Sequence, residues 1–117
     1  MFKSNRNPQF RSKFSEDIFN TKYSHEGAET LHELSCTLVN DVCQSKLTAD
    51  EKEELIDHIS NLRFIPGGRY LYYAGRDKKF FNNCYLLKAE EDNREDWAKL
   101  SWEAESCLMT GGGIGAD

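Results

Sequence analysis

The segment whose residue types point most directly to ligand binding is the glycine run GGGIGAD at 111–117. Glycine has no Cβ, so a ligand can approach the backbone closely there. The run is not a Walker phosphate loop, because Ala116 and Asp117 stand where that loop needs lysine and a hydroxyl residue. It is not a dinucleotide loop, because the segment before it is predicted to be a helix and not a strand. A ligand-binding loop and a tight turn from a helix into a strand both fit these residues.

A second chemical segment is Asn82-Asn83-Cys84, within a strand predicted over residues 80–88. The strand carries apolar and aromatic residues on both faces, which is typical of the interior of an α/β structure. Asparagine is depleted in strands, so two of them beside a thiol suggest hydrogen bonding to a ligand. The alternative is that Cys84 is an inert, buried residue, as free cysteines often are.

Two further groups carry weaker signals. Pro66-Gly67-Gly68 permits a sharp turn, and Arg69 after it could meet a phosphate or pair with a surface acid. His32 and Cys36 lie four residues apart, so they share a helix face, as metal ligands do. No second pair of ligands completes a tetrahedral site, so the sequence predicts ordinary helix residues and no metal site.

The elements that position these groups are read from periodicity and capping signals. Apolar residues at helical spacing predict one helix over 26–45 and another that starts at the capping box of Thr48 and Glu51. Pro66 ends the second helix, and the aromatic segment 69–75 is predicted to be semi-extended. The acidic run 90–96 is predicted to open a third helix, with Asp92 and Glu95 as its cap.

Composition narrows the function classes. The chain has 117 residues, enough for one small domain, and a net charge of −5, which argues against binding nucleic acid or a membrane surface through charge. No apolar run is long enough to span a membrane, and the polar N-terminus predicts no signal peptide. The four cysteines form no C-x-x-C pair. We therefore expect reduced thiols and a cytoplasmic location.

Three segments, taken in order, resemble one family: RFIPGGRYLYYAGR at 63–76, FFNNCYLL at 80–87 and CLMTGGGIGAD at 107–117. They are similar to the start of the catalytic subunit of ribonucleotide reductase, most of all to class II, the adenosylcobalamin-dependent enzymes. The lead-in FRSKFSEDIFNTKYS at 10–24 is also similar. The resemblance covers nearly the whole chain.

The resemblance implies roles for individual residues. The resemblance implies an enzyme that makes deoxyribonucleotides by thiyl-radical chemistry. By likeness, Cys84 is the first of two redox cysteines that reduce the 2′-carbon of a ribonucleotide and end as a disulfide. The substrate-binding residues implied are Gly68, Asn83, Cys84, Gly112 and Gly113. Adenosylcobalamin is the implied cofactor, and a thioredoxin-like dithiol the implied reductant. We expect the side-chain-free loop to let substrate phosphates reach backbone N–H groups.

The implied fold is α/β: an extended or irregular arm at 1–24 with a short helical turn over 15–23, a helical region at 25–64, and the start of a ten-stranded α/β barrel at 65–117. The family's radical cysteine, second redox cysteine and cobalamin contacts match nothing here. We therefore expect an N-terminal fragment that is inactive alone and that a C-terminal chain could complete. The alternative is a non-enzymatic helical interaction domain, or a decayed or repurposed fragment. The choice between di- and triphosphate substrates stays open.

Overall fold

The computed structural model describes residues 10–117. The first nine residues of the arm predicted at 1–24 lie outside that range. The chain divides between Lys79 and Phe80 into two compact units. The first unit is helical, and the second combines one helix with two strands.

The helical first unit contains five elements in chain order. They are α1 (Lys13–Ile18), a π-helical turn (Phe19–Tyr23), α2 (Leu31–Cys43), α3 (Ala49–Ser60) and α4 (Gly68–Tyr73). The described part of the predicted irregular arm is therefore helical from Lys13 onward. The Ser12 hydroxyl caps α1 by accepting the N–H of Ser15 at 3.2 Å. Helix α1 continues directly into the π-helical turn, whose Phe19 is buried. Burial of this side chain holds the segment to the core.

Helix α2 forms the centre of the first unit. It starts later than predicted, because Thr30 is the residue whose hydroxyl accepts the N–H of Glu33 and caps the helix. Its buried apolar residues belong to two clusters. One contains Phe19, Ala28, Leu31 and Leu34, and the other contains Leu38, Val39, Ile59 and Ala74. Full burial of one such leucine contributes about 1.5–3 kcal/mol.

Helix α3 begins as the sequence predicts. The Thr48 hydroxyl accepts the N–H of Glu51, and the Glu51 carboxylate accepts the N–H of Thr48, which is a complete capping box. The helix ends at Ser60, and Leu62 lies just beyond it. Leu62 has φ +57°, which is unusual for a bulky residue, yet its side chain still packs against the first cluster. Packing therefore holds a strained backbone here.

Helix α4 corrects the prediction of a semi-extended segment over 69–75. Residues Gly68–Tyr73 are helical, and the chain enters the helix at Gly67. Aromatic residues favour strands in isolation. The reason for the difference is tertiary, since Leu71 packs against both core clusters from this short helix.

The second unit is a β-α-β unit made of β1 (Cys84–Leu87), α5 (Arg94–Met109) and β2 (Gly113–Ala116). The two strands are parallel neighbours. Strand β1 is shorter than the predicted 80–88, and both asparagines precede it. Helix α5 is capped by Asn93, whose side chain accepts the N–H of Asp96 at 2.8 Å, and not by Asp92 with Glu95. The last two acids of the run, Glu95 and Asp96, lie in the first turn of the helix, where negative charge is favourable. The two strands do not test the predicted ten-stranded barrel, which stays a prediction.

Candidate functional site

The parallel register brings two of the predicted motifs together. Cys84, the first residue of β1, lies opposite Gly113, the first residue of β2. The N–H of Gly113 donates to the carbonyl oxygen of Asn83 at 2.8 Å. Both motifs therefore meet at the amino end of the strand pair. Open α/β sheets usually bind ligands at the opposite, carboxyl end.

The thiol of Cys84 is accessible. The residue is exposed, so the alternative of an inert, buried cysteine does not describe it. A Cβ placed on Gly113 would lie 3.5 Å from Sγ of Cys84 and 3.8 Å from the carbonyl oxygen of Asn83. A side chain at Gly113 would thus stand directly beside the thiol. Its absence leaves that side of Cys84 open to a ligand.

Gly112 has a different surrounding. It is buried, and a Cβ there would lie 2.6 Å from Cε2 of Tyr85 and 3.2 Å from the carbonyl oxygen of Cys107. Real Cβ atoms essentially never approach another atom as closely as the first of these distances. Glycine at this position therefore lets the Tyr85 ring lie against the loop. Tyr85 was not among the predicted site residues, and no local sequence signal points to it, because α5 separates β1 from the loop along the chain.

The glycine loop is a helix stop of the Schellman type. Gly111 has φ +81°, its N–H donates to the carbonyl of Leu108 at 2.9 Å, and the N–H of Gly112 donates to the carbonyl of Cys107 at 3.1 Å. These two bonds satisfy carbonyls that a helix end leaves unpaired. Of the two interpretations that the sequence left open, the tight turn describes this geometry.

The same hydrogen bonds contradict the expectation that backbone N–H groups of the glycine loop bind substrate phosphates. The N–H groups of Gly111, Gly112 and Gly113 all donate to backbone carbonyls of the second unit. A phosphate held by backbone amides needs N–H groups that point to the ligand. These three are already engaged inside the turn and the strand pair. Phosphate contacts in this region would have to come from other donors.

Gly68 belongs to the first unit and is the first residue of α4. A Cβ there would lie 3.4 Å from the hydroxyl oxygen of Tyr23, close to ordinary van der Waals contact. The structure thus brings together four of the five predicted site residues, Asn83, Cys84, Gly112 and Gly113, within the second unit. The side chain of Asn83 is exposed, and its backbone carbonyl is the group that contacts Gly113.

A charged cavity of about 270 Å³ lies elsewhere in the second unit. It is lined from the carboxyl end of β1 by Leu87 and Lys88, and from α5 by Asp96, Lys99 and Glu103, among others. The lysines are offset by the acids, so the cavity has no excess of positive charge for a phosphate. The lining residue nearest to Cys84 along the strand is Leu86, which is two residues or about 7 Å away.

The described residues do not fit the implied cofactor. Among residues 10–117, no group of three or more His, Cys, Asp or Glu side chains could hold a metal ion. The apolar cavity of the first unit has a volume of about 290 Å³. Drug-sized ligands already occupy pockets of about 300–1,000 Å³, and a corrinoid is larger than these.

Comparison of the chain with protein-family models, with curated proteins and with solved structures gave no match. No helix in the described part of the chain is long and apolar enough to cross a membrane.

Proposed function

We propose that this chain is the N-terminal part of a ribonucleotide reductase and that Cys84 is one of its two redox cysteines. The observation that carries the proposal is the parallel register of Cys84 with Gly113. Two motifs that resemble the family in sequence, and that are separated by a whole helix, are neighbours in the structure. The resemblance supplies the family, and the register supplies a reason for both motifs to be needed at one place.

The proposed reaction uses Cys84 as half of a two-electron reductant. The C2′–O bond of the ribonucleotide breaks, and the hydroxyl leaves as water. Two thiols supply two electrons and two protons, and a disulfide forms between their sulfur atoms. Cys84 supplies one sulfur, and a cysteine of the completing part of the enzyme supplies the other. A thioredoxin-like dithiol then reduces the disulfide by thiol–disulfide exchange.

The environment of Cys84 supports this role in two ways. An exposed thiol is within reach of a substrate on one side and of an external dithiol on the other. Gly113 lies beside the sulfur and has no side chain that would cover it. In this proposal the substrate ribose lies over Gly113, while Gly112 acts through packing against Tyr85. Gly68 is a proposed substrate contact on the resemblance alone.

The test is multiple turnover by an enzyme completed with its C-terminal part. We expect Cys84→Ser to lose steady-state deoxyribonucleotide formation while it still binds nucleotide, because serine is similar in size but cannot form a disulfide. Cys107→Ser is the matched control, since Cys107 contributes its backbone carbonyl to the turn and is expected to keep turnover. Wild-type turnover by Cys84→Ser would overturn the redox role.

A second candidate is a non-enzymatic helical interaction domain. The specific observation in its favour is that the first unit has its own core and still exposes large apolar side chains, Phe14, Phe64 and Ile65 among them. Exposed apolar groups of this kind often mark protein contacts. The coding sequence downstream of Asp117 distinguishes the two candidates. A frame or partner gene that encodes further barrel strands and a late cysteine favours the reductase.

A further inference from the structure

Three side chains of the first unit, which the proposed reductase reaction does not use, are linked by polar contacts. Sγ of Cys36 lies 3.6 Å from Nε2 of His32. Nδ1 of the same imidazole lies 3.2 Å from the hydroxyl oxygen of Ser60. A thiol, a base within hydrogen-bond reach, and a third group that orients the base are the parts of an activated nucleophile.

Two packed helices hold this arrangement. His32 and Cys36 are four residues apart on α2, so their side chains lie on one face of the helix. Ser60 is the last residue of α3 and is completely buried. Helices α2 and α3 pack against each other, so the contact between His32 and Ser60 depends on core packing and not on a loop. His32 and Cys36 are half-buried, so a small molecule can reach the sulfur from solvent.

We propose that Cys36, His32 and Ser60 form an activated-thiol site that small, neutral hydroperoxides oxidise. The Ser60 hydroxyl oxygen accepts the Nδ1–H of His32, which leaves the lone pair of Nε2 facing the sulfur. His32 then takes the proton of the thiol, and the thiolate is the nucleophile. The sequence showed the spacing of His32 and Cys36 but could not show Ser60, which lies on another helix.

The oxidation step balances without any further reactant. The thiolate sulfur attacks one oxygen of the hydroperoxide, and an S–O bond forms as the O–O bond breaks. The leaving hydroxide or alkoxide takes the proton held by His32 and departs as water or an alcohol. Sulfur loses two electrons and becomes a sulfenic acid, while the peroxide gains them. A thiol reductant restores the starting state.

Charged groups around the site affect where the shared proton resides. These charged groups lie on α2, on the segment before it, and on the face of α3 that carries Ser60. One more lies on α4, which also packs against α2. These groups are Glu29, Glu33, Glu53, Asp57 and Arg69. Asp57 is ion-paired with Arg63, and the Glu33 carboxylate accepts the N–H of Glu29. Counting Arg63, these groups are four acids and two bases, so their net charge is negative.

The test measures alkylation of each cysteine in the full, reduced chain by iodoacetamide, with mass spectrometry to separate the sites. Cys43, at the end of the same helix and also half-buried, is the internal control. At pH 6 we expect Cys36 to react at least about tenfold faster than Cys43, because an ordinary thiol with a pKa of about 8.5 is almost fully protonated there. The ratio of the alkylation rate at Cys36 to that at Cys43 should become smaller at pH 8.5 and approach one in urea. Equal rates at pH 6, or an excess that does not change with pH, would overturn the proposal, because accessibility alone gives a constant ratio.

Two variants and a second reagent complete the test. His32→Gln keeps a side chain of similar size but removes the base, and we expect it to reduce the rate at Cys36 to that of Cys43. His58→Gln is the control, because it removes another imidazole of α3, one that accepts a hydrogen bond from Arg63. This variant should keep the faster rate at Cys36. Hydrogen peroxide with dimedone as a trap should label Cys36 before Cys43. If His32→Gln does not fold, the wild-type pH dependence decides alone. A folded His32→Gln chain that keeps the excess, or the absence of a dimedone adduct at Cys36, contradicts the proposed site.

Discussion

At the scale of single residues, Gly112 and Gly115 are both glycines of the second unit but differ in what a methyl group would meet. At Gly112 it would lie 2.6 Å from the Tyr85 ring, whereas at Gly115 the nearest atom would be Cδ1 of Leu86 at 3.6 Å. The first distance requires the ring or the loop to move. The second is an ordinary contact. The pair therefore allows a matched test of the turn.

We expect Gly112→Ala to lower the free energy of unfolding by about 1–3 kcal/mol, the usual cost of overpacking. Gly115→Ala should change it by much less, because its methyl group fits the existing space. Chemical denaturation of both variants, followed by fluorescence of Trp97 and Trp102 on α5, measures the difference. Equal stability of the two variants would show that the Tyr85 ring moves aside without cost.

Asp41 is the residue whose ionisation we expect to affect stability at acid pH. Its pKa is lowered from 3.8, first by the hydrogen bond from Lys79 and then by the N–H of Gly75, which donates at 3.1 Å. A lowered pKa in the folded state means that the ionised carboxylate stabilises the fold. This contribution is complete above pH 3.8 and is lost as the pH falls through the folded pKa.

We therefore expect Asp41→Asn to destabilise the chain at neutral pH by up to about 1 kcal/mol, as is usual for a partly exposed ion pair. The difference from wild type should shrink as the pH falls below 3.8. Urea denaturation at neutral and at acid pH measures it, with Asp77→Asn in an exposed turn as the control. A difference that grew on acidification would contradict the assigned direction.

Single residues also show how much of the candidate site could be predicted from the sequence. The identities of Cys84, Asn83 and Gly113 were predicted as one group, but only through resemblance, because their neighbourhood depends on the register of two strands separated by α5. Whether backbone N–H groups of the glycine loop could bind a phosphate was not predictable from the sequence. Whether an N–H group is free depends on the turn type, and the Schellman bonds use the donors of Gly111 and Gly112.

At the scale of elements, the start of α3 was predicted correctly, whereas the starts of α2 and α5 and the helical state of α4 were not. The capping box of Thr48 and Glu51 lies within four residues, so the sequence contains all of it. Helix α4 has no side-chain cap and depends on Leu71 packing against clusters formed mainly by other elements. Its aromatic residues point to an extended segment when they are read locally.

We expect Thr48→Ala to lower the free energy of unfolding by about 1 kcal/mol, because the N–H of Glu51 loses its acceptor at the start of α3. Thr48→Ser keeps a hydroxyl and should cost much less. Thermal melting monitored by far-UV circular dichroism compares the two variants. If serine and alanine were equally destabilising, lost methyl packing and not the cap would be the cause.

At the scale of the whole molecule, the second unit exposes large apolar side chains on both strands and helix. Leu86 is 84% exposed, Trp102 67% and Met109 87%. Parallel sheets are normally covered on both faces, so a two-stranded parallel pair with such residues on its surface is unusual in isolation. The first unit exposes Phe14, at 73%, in the same way. This exposed area makes contact with other protein surfaces favourable.

We expect the purified chain to self-associate as its concentration rises, and Leu86→Lys to reduce the association, because a lysine on a strand opposes edge-to-edge and face-to-face pairing. Phe14→Lys is the control, because it places a lysine at an exposed apolar position outside β1 and α5. Sedimentation velocity over a concentration series measures both variants. A wild-type chain that stays monomeric at high concentration would show that the exposed residues of β1 and α5 do not drive association.

Leu71 has a consequence for the order in which the first unit folds. Helices α2 and α3 are joined by a short connection, so their contacts are local and can form early. Leu71 packs against both clusters but arrives from a later part of the chain, and a longer loop must close before it docks. Docking of α4 thus completes both apolar clusters of the first unit in one step. Its detachment would open both clusters together, and this makes a six-residue helix the point at which a local fluctuation becomes unfolding of the unit.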